Sequence, residues 1–264
     1  MAIATWASYV SKVAAPAQLI QDTKASQTTV AGRYSSFWGI APFGGTTPGA
    51  AAVPTNATTG SMGQVDSGGV MRLAQVAASL QQSGFVIIAD RLLHNGGLSA
   101  TTTTAQTVGG TLTRNTGGVG NMMAAEIYTV IGTTATTVTA SYTNEGATSG
   151  RTSQATAFGG TGLREVQRMI PLPLAQGDVG VQACASITVL ASTLTAGSFG
   201  VTIFRPLFAM AIPSLGSQQL LFDSMELCGG VMPKIDAGAC LWYMMMAFTT
   251  TSGVLLSANR FIEE

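Results

Sequence analysis

Residues 126–160 read EIYTVIGTTATTVTASYTNEGATSGRTSQATAFGG, and residues 185–206 read ASITVLASTLTAGSFGVTIFRP. Thr, Val, Ile and Tyr suit a pleated, half-buried surface, and clusters of Gly, Ser and Asn cut such runs into strand lengths. Val138, Ala140 and Tyr142 alternate with Thr137, Thr139, Ser141 and Thr143. A period of two places the first set on one face of a strand and the second on the other. Phe199, Val201 and Ile203 repeat the pattern against Gly200 and Thr202. Turn signals recur at Asn144-Glu145-Gly146, Gly159-Gly160, Gln176-Gly177-Asp178 and Ala196-Gly197. Strands at intervals near ten residues, without helical patterns between them, predict a mainly β protein: an antiparallel β-sandwich of jelly-roll type. Pro171-Leu172-Pro173-Leu174 is expected at an edge or crossover, because proline has no N–H to give to a central ladder.

Outward from this body the pattern changes. A weakly helical start, Ala2 to Lys24, leads into a stretch rich in Gly and Pro, with Pro16 before it and Pro48 and Pro54 within. Tyr34, Phe37, Trp38 and Phe43 lie close together there, and aromatics in irregular chain usually dock on something. The reading is an extended N-terminal arm with a short helix over residues 1–80 and a β-sandwich body over 81–264. The arm's aromatics anchor it either to its own domain or to a neighbouring subunit. Leu73, Val76, Ala77 and Leu80 have helical spacing, so a short helix is predicted over Val70 to Gln82, closed by Gly84. Phe85 to Ala89 (FVIIA) reads as a strand buried on both faces, ended by a turn over Asp90 to Gly97. Gln218 to Leu227 reads as a short helix, Ala239 to Thr249 as an apolar strand, and Val254 to Ile262 as a last strand closing the sheet.

Composition narrows the function. The 264 residues carry 12 Lys+Arg, 12 Asp+Glu and one His, so 9% are charged and the formal net charge is +0. Globular chains average about 25% charged residues. A balanced, sparse charge lacks the footprint of a protein that tracks phosphate backbones or anionic lipid, so no nucleic-acid or membrane partner is expected. With 46% hydrophobic residues and so little charge, much of the surface is expected to be covered by neighbours. The apolar tracts, such as Gly84 to Ala89 and Leu241 to Phe248, fall short of the roughly 20 residues a spanning helix needs. Met1 to Ile20 lacks a basic n-region and is interrupted by Lys12, so no signal peptide is expected. Cys184, Cys228 and Cys240 are an odd number without CxxC spacing, which predicts reduced, buried thiols rather than a disulfide framework or zinc site.

Candidate chemistry is thin. Asp90 and His94 stand four apart, but no G-x-S-x-G elbow supplies a nucleophile and Leu92-Leu93 between them points to core. Glu126, Glu145, Glu165 and Asp178 are the carboxylates a glycosidase pair would draw on, and each reads as a solvated strand end or turn. Asp223, Glu226 and Asp236 lack the Asp-x-Asp spacing of a calcium loop. Arg164, Glu165 and Arg168 form the only dense charge cluster, either a solvated short helix or loop or an intersubunit ion-pair site. Met244 to Met246 reads as core filler. No catalytic residue, cofactor or metal is assigned.

The blocks EIYTVIGTTATTVTASYTNEGATSGRTS (126–153) and REVQRMIPLPLAQGDVGVQACASITVLASTLTAGSFGVTIFRPL (164–207) resemble virion structural proteins of tailed bacteriophages, head- or tail-associated and with β-sandwich bodies. The resemblance spans roughly residues 85–264 and leaves out the first 80. It implies a non-enzymatic virion component that associates with itself, as a trimer, and with the major capsid protein or other virion proteins. On this reading the protein decorates or cements the capsid after assembly in the host cytoplasm. A tail, collar or baseplate component of similar fold is the alternative. A carbohydrate-binding receptor-recognition module is the third, and it would want exposed Trp and Tyr, whereas Trp6, Trp38 and Trp242 are scattered along the chain.

Overall fold

The computed structural model describes residues 7, 8, 10, 11, 18–63, 70–213, 220–223 and 233–263. Apart from helical positions 7, 8, 10 and 11, its regular structure is β. In chain order the strands are β1 (Gln18–Thr28), β2 (Tyr34–Ser36), β3 (Met71–Leu80), β4 (Gly84–His94), β5 (Gln106–Thr107), β6 (Met122–Thr129), β7 (Thr136–Asn144) and β8 (Arg151–Thr152). They continue with β9 (Thr156–Phe158), β10 (Arg168–Pro171), β11 (Val181–Val189), β12 (Ser198–Ile212), β13 (Leu220–Asp223), β14 (Lys234–Ile235), β15 (Leu241–Ala247) and β16 (Ser252–Glu263).

Three sheets result. A closed barrel runs β10-β2-β15-β4-β12-β6. One five-stranded sheet orders β1-β16-β3-β13, with β14 also on β3, and another orders β5-β11-β7-β8, with β9 also on β7. The paired strands are antiparallel, as expected, and the sandwich has a barrel as its middle layer. Side-chain alternation makes this possible. On β6, Met123, Ala125 and Ile127 face the core shared with β7 and β11, while Ala124 faces the barrel interior. On β15, Leu241, Tyr243 and Met245 face the core under β3 and β16, while Trp242 and Met244 fill the barrel. Most barrel strands are therefore buried on both faces along much of their length, though the second half of β12 exposes Pro206, Ala209 and Ala211, and a barrel this narrow is filled by side chains.

Four local expectations are corrected. The stretch Val70 to Gln82 holds strand β3 (Met71–Leu80), not a helix: it lies between β16 and β13, and a bulge at Ala74 puts Leu73, Val76 and Leu80 on one core face at helix-like spacing. β4 does not end at a turn over Asp90 to Gly97 but continues to His94, paired with β12 and β15. Residues 18–24 of the expected helical start belong to β1, which pairs with β16. Leu220–Asp223, inside the helix expected over 218–227, is a strand on β3, and the rest of that stretch lies outside the described residues.

Residues of the expected arm are built into the body. β2 closes the barrel, and Phe37 and Trp38 are buried in the chain's own cores, whereas Phe43 is exposed. Pro171 ends β10, and the 172–174 segment that follows lies outside the strands, as the proline spacing required.

Close backbone approach makes Gly132 indispensable. A Cβ there would stand 1.5 Å from the carbonyl oxygen of Thr193. Gly132→Ala should therefore cost about 1–3 kcal/mol through forced displacement of the 193 loop. Urea denaturation reads this directly, and a loss below about 0.5 kcal/mol, the range of neutral surface changes, would contradict it.

Candidate functional site: a charged cluster sealed in the barrel

The barrel interior collects charge from strands far apart in sequence. β4 brings Arg91 and His94, β6 brings Glu126 and Tyr128, β12 brings Thr202, and Trp38 and Trp242 come from beside β2 and from β15. Arg91 and Glu126 are both 0% exposed. Arg91 Nη2 donates to Glu126 Oε2 at 2.5 Å and to Tyr128 OH at 3.0 Å, and Arg91 Nε donates to His94 Nδ1 at 2.9 Å. Thr202 Oγ1 and Tyr128 OH donate to the same Glu126 oxygen at 2.6 and 3.1 Å. The guanidinium carbon lies 4.3 Å from the Trp38 ring centroid and 4.8 Å from that of Trp242. Trp38 also meets His94 edge-on at 5.3 Å.

The protonation states follow. Burial alone would raise the Glu126 carboxyl, but the Arg91 charge, with hydrogen bonds from Arg91, Thr202 and Ser36, holds it below the usual carboxylate value. Burial, then the Arg91 cation, pushes His94 down to about 3, so its imidazole is neutral and its Nδ1 is free to accept from Arg91. Burial, then the Glu126 charge, raises the Tyr128 phenol. The cluster is one cation on one carboxylate, clamped by two indoles.

Two more charge centres pin loops. Asp90 takes a forked pair of hydrogen bonds from Arg114 at 2.9 and 3.0 Å and accepts the Cys240 N–H at 2.9 Å. Asp178 accepts from Tyr142 OH, from Asn144 Nδ2 at 2.8 Å and from Arg151 Nε at 2.9 Å. Those hydrogen bonds, Arg151 foremost, lower its carboxyl to about 2.

The residues singled out in sequence separate accordingly. Asp90 and His94 share a strand but not a partner: Asp90 binds Arg114, and His94 binds Arg91. Glu126 is not a solvated strand end but the centre of the barrel cluster, because Arg91 compensates its burial. Glu145 accepts the N–H groups of Val179 and Gly180, so it fastens a turn. Glu165 accepts from the N–H groups of Gly162 and Arg164 and stands 3.6 Å from Arg168. Arg168 is no solvated loop residue: it is buried, donates to Ser35 Oγ at 2.7 Å, and burial lowers its pKa. Asp223 ends β13, and Asp236 pairs with Lys234 at 3.1 Å and Arg205 at 3.9 Å. Glu226, Cys228 and Trp6 lie outside the described residues.

Among the described residues no three His, Cys, Asp or Glu come together as a metal site, and no helix is long and apolar enough to cross a membrane. Cys184 and Cys240 are buried free thiols that desolvation raises to about 12. Met244 and Met245 are core.

The Arg91–Glu126–Trp38–Trp242 constellation was not assembled from the sequence. The available signal was a charge set inside an apolar run, Arg91 in IIADRLLH (87–94) and Glu126 in MMAAEIYT (122–129). Such a charge is buried only when paired, so each run pointed to a partner without naming it. With both charges fully enclosed, the cluster has no face on which a substrate meets Glu126. Its chemistry is cohesion: it ties β4, β6, β12 and β15 together across the barrel. Comparison of the chain with protein-family models, with curated proteins and with solved structures gives no match.

Proposed function

We propose that this chain is a non-enzymatic structural protein of a tailed-bacteriophage virion, a decoration or cement protein that associates with itself and with the capsid lattice. The observation that carries this reading is where the charge goes. A chain with only 12 Lys+Arg and 12 Asp+Glu buries Lys24, Asp90, Arg91, Arg114, Glu126 and Arg168. The surface left over is poor in charge and studded with exposed Leu, Val and Phe, which suits a subunit covered by neighbours better than a free monomer. The resemblance of residues 126–153 and 164–207 to virion proteins supports the same reading. Of the tryptophans that the carbohydrate-binding alternative would draw on, Trp38 and Trp242 stack on Arg91 inside the barrel, which favours the structural reading.

The partners proposed are a second and third copy of the chain, as a trimer, and the major capsid protein. Quantitative mass spectrometry of purified virions tests this. Hundreds of copies per particle place the chain on the capsid lattice. A few to a few dozen move it to tail, collar or baseplate, and its absence from particles overturns the reading.

A further inference from the structure

A pocket beside β1 has walls that the fold itself fixes. On one side the 39–45 loop is fastened to β1 and to Trp38. The Ala25 N–H donates to Ala41 O at 2.6 Å, Lys24 Nζ to Pro42 O at 3.3 Å and the Gly45 N–H to Trp38 O at 2.6 Å. On the other side the 55–63 loop closes on itself, with the Thr58 N–H on Thr55 O and the Ser61 N–H on Thr58 O. The Met62 N–H ties it to the body through Leu241 O at 2.8 Å. The two loops touch, since a Cβ on Gly60 would stand 2.8 Å from the Gly45 Cα. The pocket measures about 340 Å³, and Asp22, Phe43, Asn56, Thr58, Thr59 and Ser61 help to line it. That volume falls within the roughly 300–1,000 Å³ of small-molecule sites, which are usually formed before the ligand arrives.

Two of the lining residues do little for the fold. The Asp22 side chain is only 8% exposed, yet its Oδ2 has no hydrogen-bond partner. Lys24 Nζ stands 3.6 Å from that oxygen, while its hydrogen bond goes to Pro42 O. Burial raises the Asp22 carboxyl, and the Lys24 charge opposes the rise without cancelling it. A buried carboxylate oxygen without a donor is destabilising, and a ligand that brought the donor would relieve it. Phe43 is the converse case. It is 73% exposed and sits at φ 59°, a left-handed backbone that is costly for a bulky residue. The fastened loop holds its ring at the rim of the pocket, and strain of this kind gathers at binding sites.

The lining selects the chemistry of the ligand. Asp22 calls for a hydrogen-bond donor, and Lys24 already balances its charge, so a neutral donor fits and a second cation would be repelled. The amide of Asn56 and the hydroxyls of Thr58 and Thr59 suit a ligand with several hydroxyl groups. The open ring of Phe43 suits an apolar face. A sugar ring joins all three properties: no charge, hydroxyls around its edge and C–H groups on its face. We propose that the Asp22–Phe43 pocket binds a neutral saccharide, one hydroxyl donating to the Asp22 carboxylate and the C–H face resting on Phe43. This site shares no residue with the barrel cluster, and it goes beyond the structural reading without depending on where in a virion the chain sits.

Saturation-transfer NMR on the purified full chain tests it, with glucose, galactose, mannose, N-acetylglucosamine and their disaccharides as probes at millimolar concentration. At least one of them is expected to take up saturation, most strongly at the protons of one ring face. Phe43→Gly removes the ring and relieves the φ, so it should weaken binding by about 3–10-fold with a thermal midpoint at or above wild type. Asp22→Asn keeps the shape but not the charged acceptor, and should weaken binding by about 10–100-fold. Because that change also leaves Lys24 without its carboxylate, Ala57→Arg at an exposed position of the lining is the second variant. It should block the pocket with a thermal midpoint near wild type. Failure of every one of these sugars to take up saturation overturns the proposal, as does binding that Phe43→Gly and Ala57→Arg both leave unchanged. Ethylammonium bound at this pocket in place of the sugars would also overturn it, since the site would then recognise a cation.

Discussion

Arg91→Met is expected to destabilise the protein by about 3–5 kcal/mol, the loss found when one member of a buried ion pair is removed. The Glu126 carboxylate would keep Thr202 and Tyr128 as donors but lose its countercharge in a site closed to solvent. The indoles of Trp38 and Trp242 would lose a cation lying 4.3 and 4.8 Å from their ring centroids. Desolvated cation–π contacts are worth about 2 kcal/mol each, which places Arg91→Met at the upper end of the range. Glu126→Leu should cost a similar amount, since it strands the guanidinium. The double variant Arg91→Met/Glu126→Leu is the informative one. Removing both charges removes both desolvation penalties, so it should be more stable than either single variant. Guanidinium denaturation of the four proteins closes the cycle. Losses that simply add would mean that the two residues do not act as a pair.

Acid should unfold the protein earlier than its carboxylates alone require, and His94 is the reason. Its ordinary value of 6.5 falls to about 3 in the fold, under burial and the neighbouring Arg91 cation, with Glu126 opposing. Above pH 6.5 neither state binds the proton, and the stability from a neutral His94 is fully present. Between 6.5 and about 3 the unfolded chain binds it and the folded one does not, so stability falls as pH falls. Below about 3 both bind it and the loss stops growing. At 1.36 kcal/mol per pH unit, the drop from pH 7 to pH 4 is about 3 kcal/mol from this residue. His94→Gln keeps an acceptor for Arg91 Nε and cannot titrate, so its stability should vary less with pH over that interval. Urea midpoints for the two proteins at pH 7, 6, 5 and 4 give the comparison. Parallel curves would show that His94 is already protonated in the fold, or reached by water.

The sheets and the cluster were legible in the sequence to different degrees. Val138, Ala140 and Tyr142 alternate with Thr because β7 has one face on the core and the other partly wet, so period two was visible and the strand was found. β3 has one core face, Met71, Leu73, Val76, Ala78 and Leu80, but a bulge at Ala74 breaks its period of two, so Leu73, Val76 and Leu80 fall at the i, i+3, i+7 spacing of a helix. Charge normally marks the end of a buried strand, yet β4 runs through Asp90 to His94. Here Arg114 and Glu126, 24 and 35 residues downstream of their partners, supply the compensation that lets the strand run on.

By itself the sequence determined that the chain is β, antiparallel, sparsely charged and without a recognisable catalytic set, since all of these follow from local composition and spacing. Tertiary structure alone decided that the middle layer closes into a barrel and that Arg91 finds Glu126 between Trp38 and Trp242. Closure and pairing depend on which distant strands share a ladder. Local propensity carries no record of that, because the free energy that selects a partner is gained only when both are buried together.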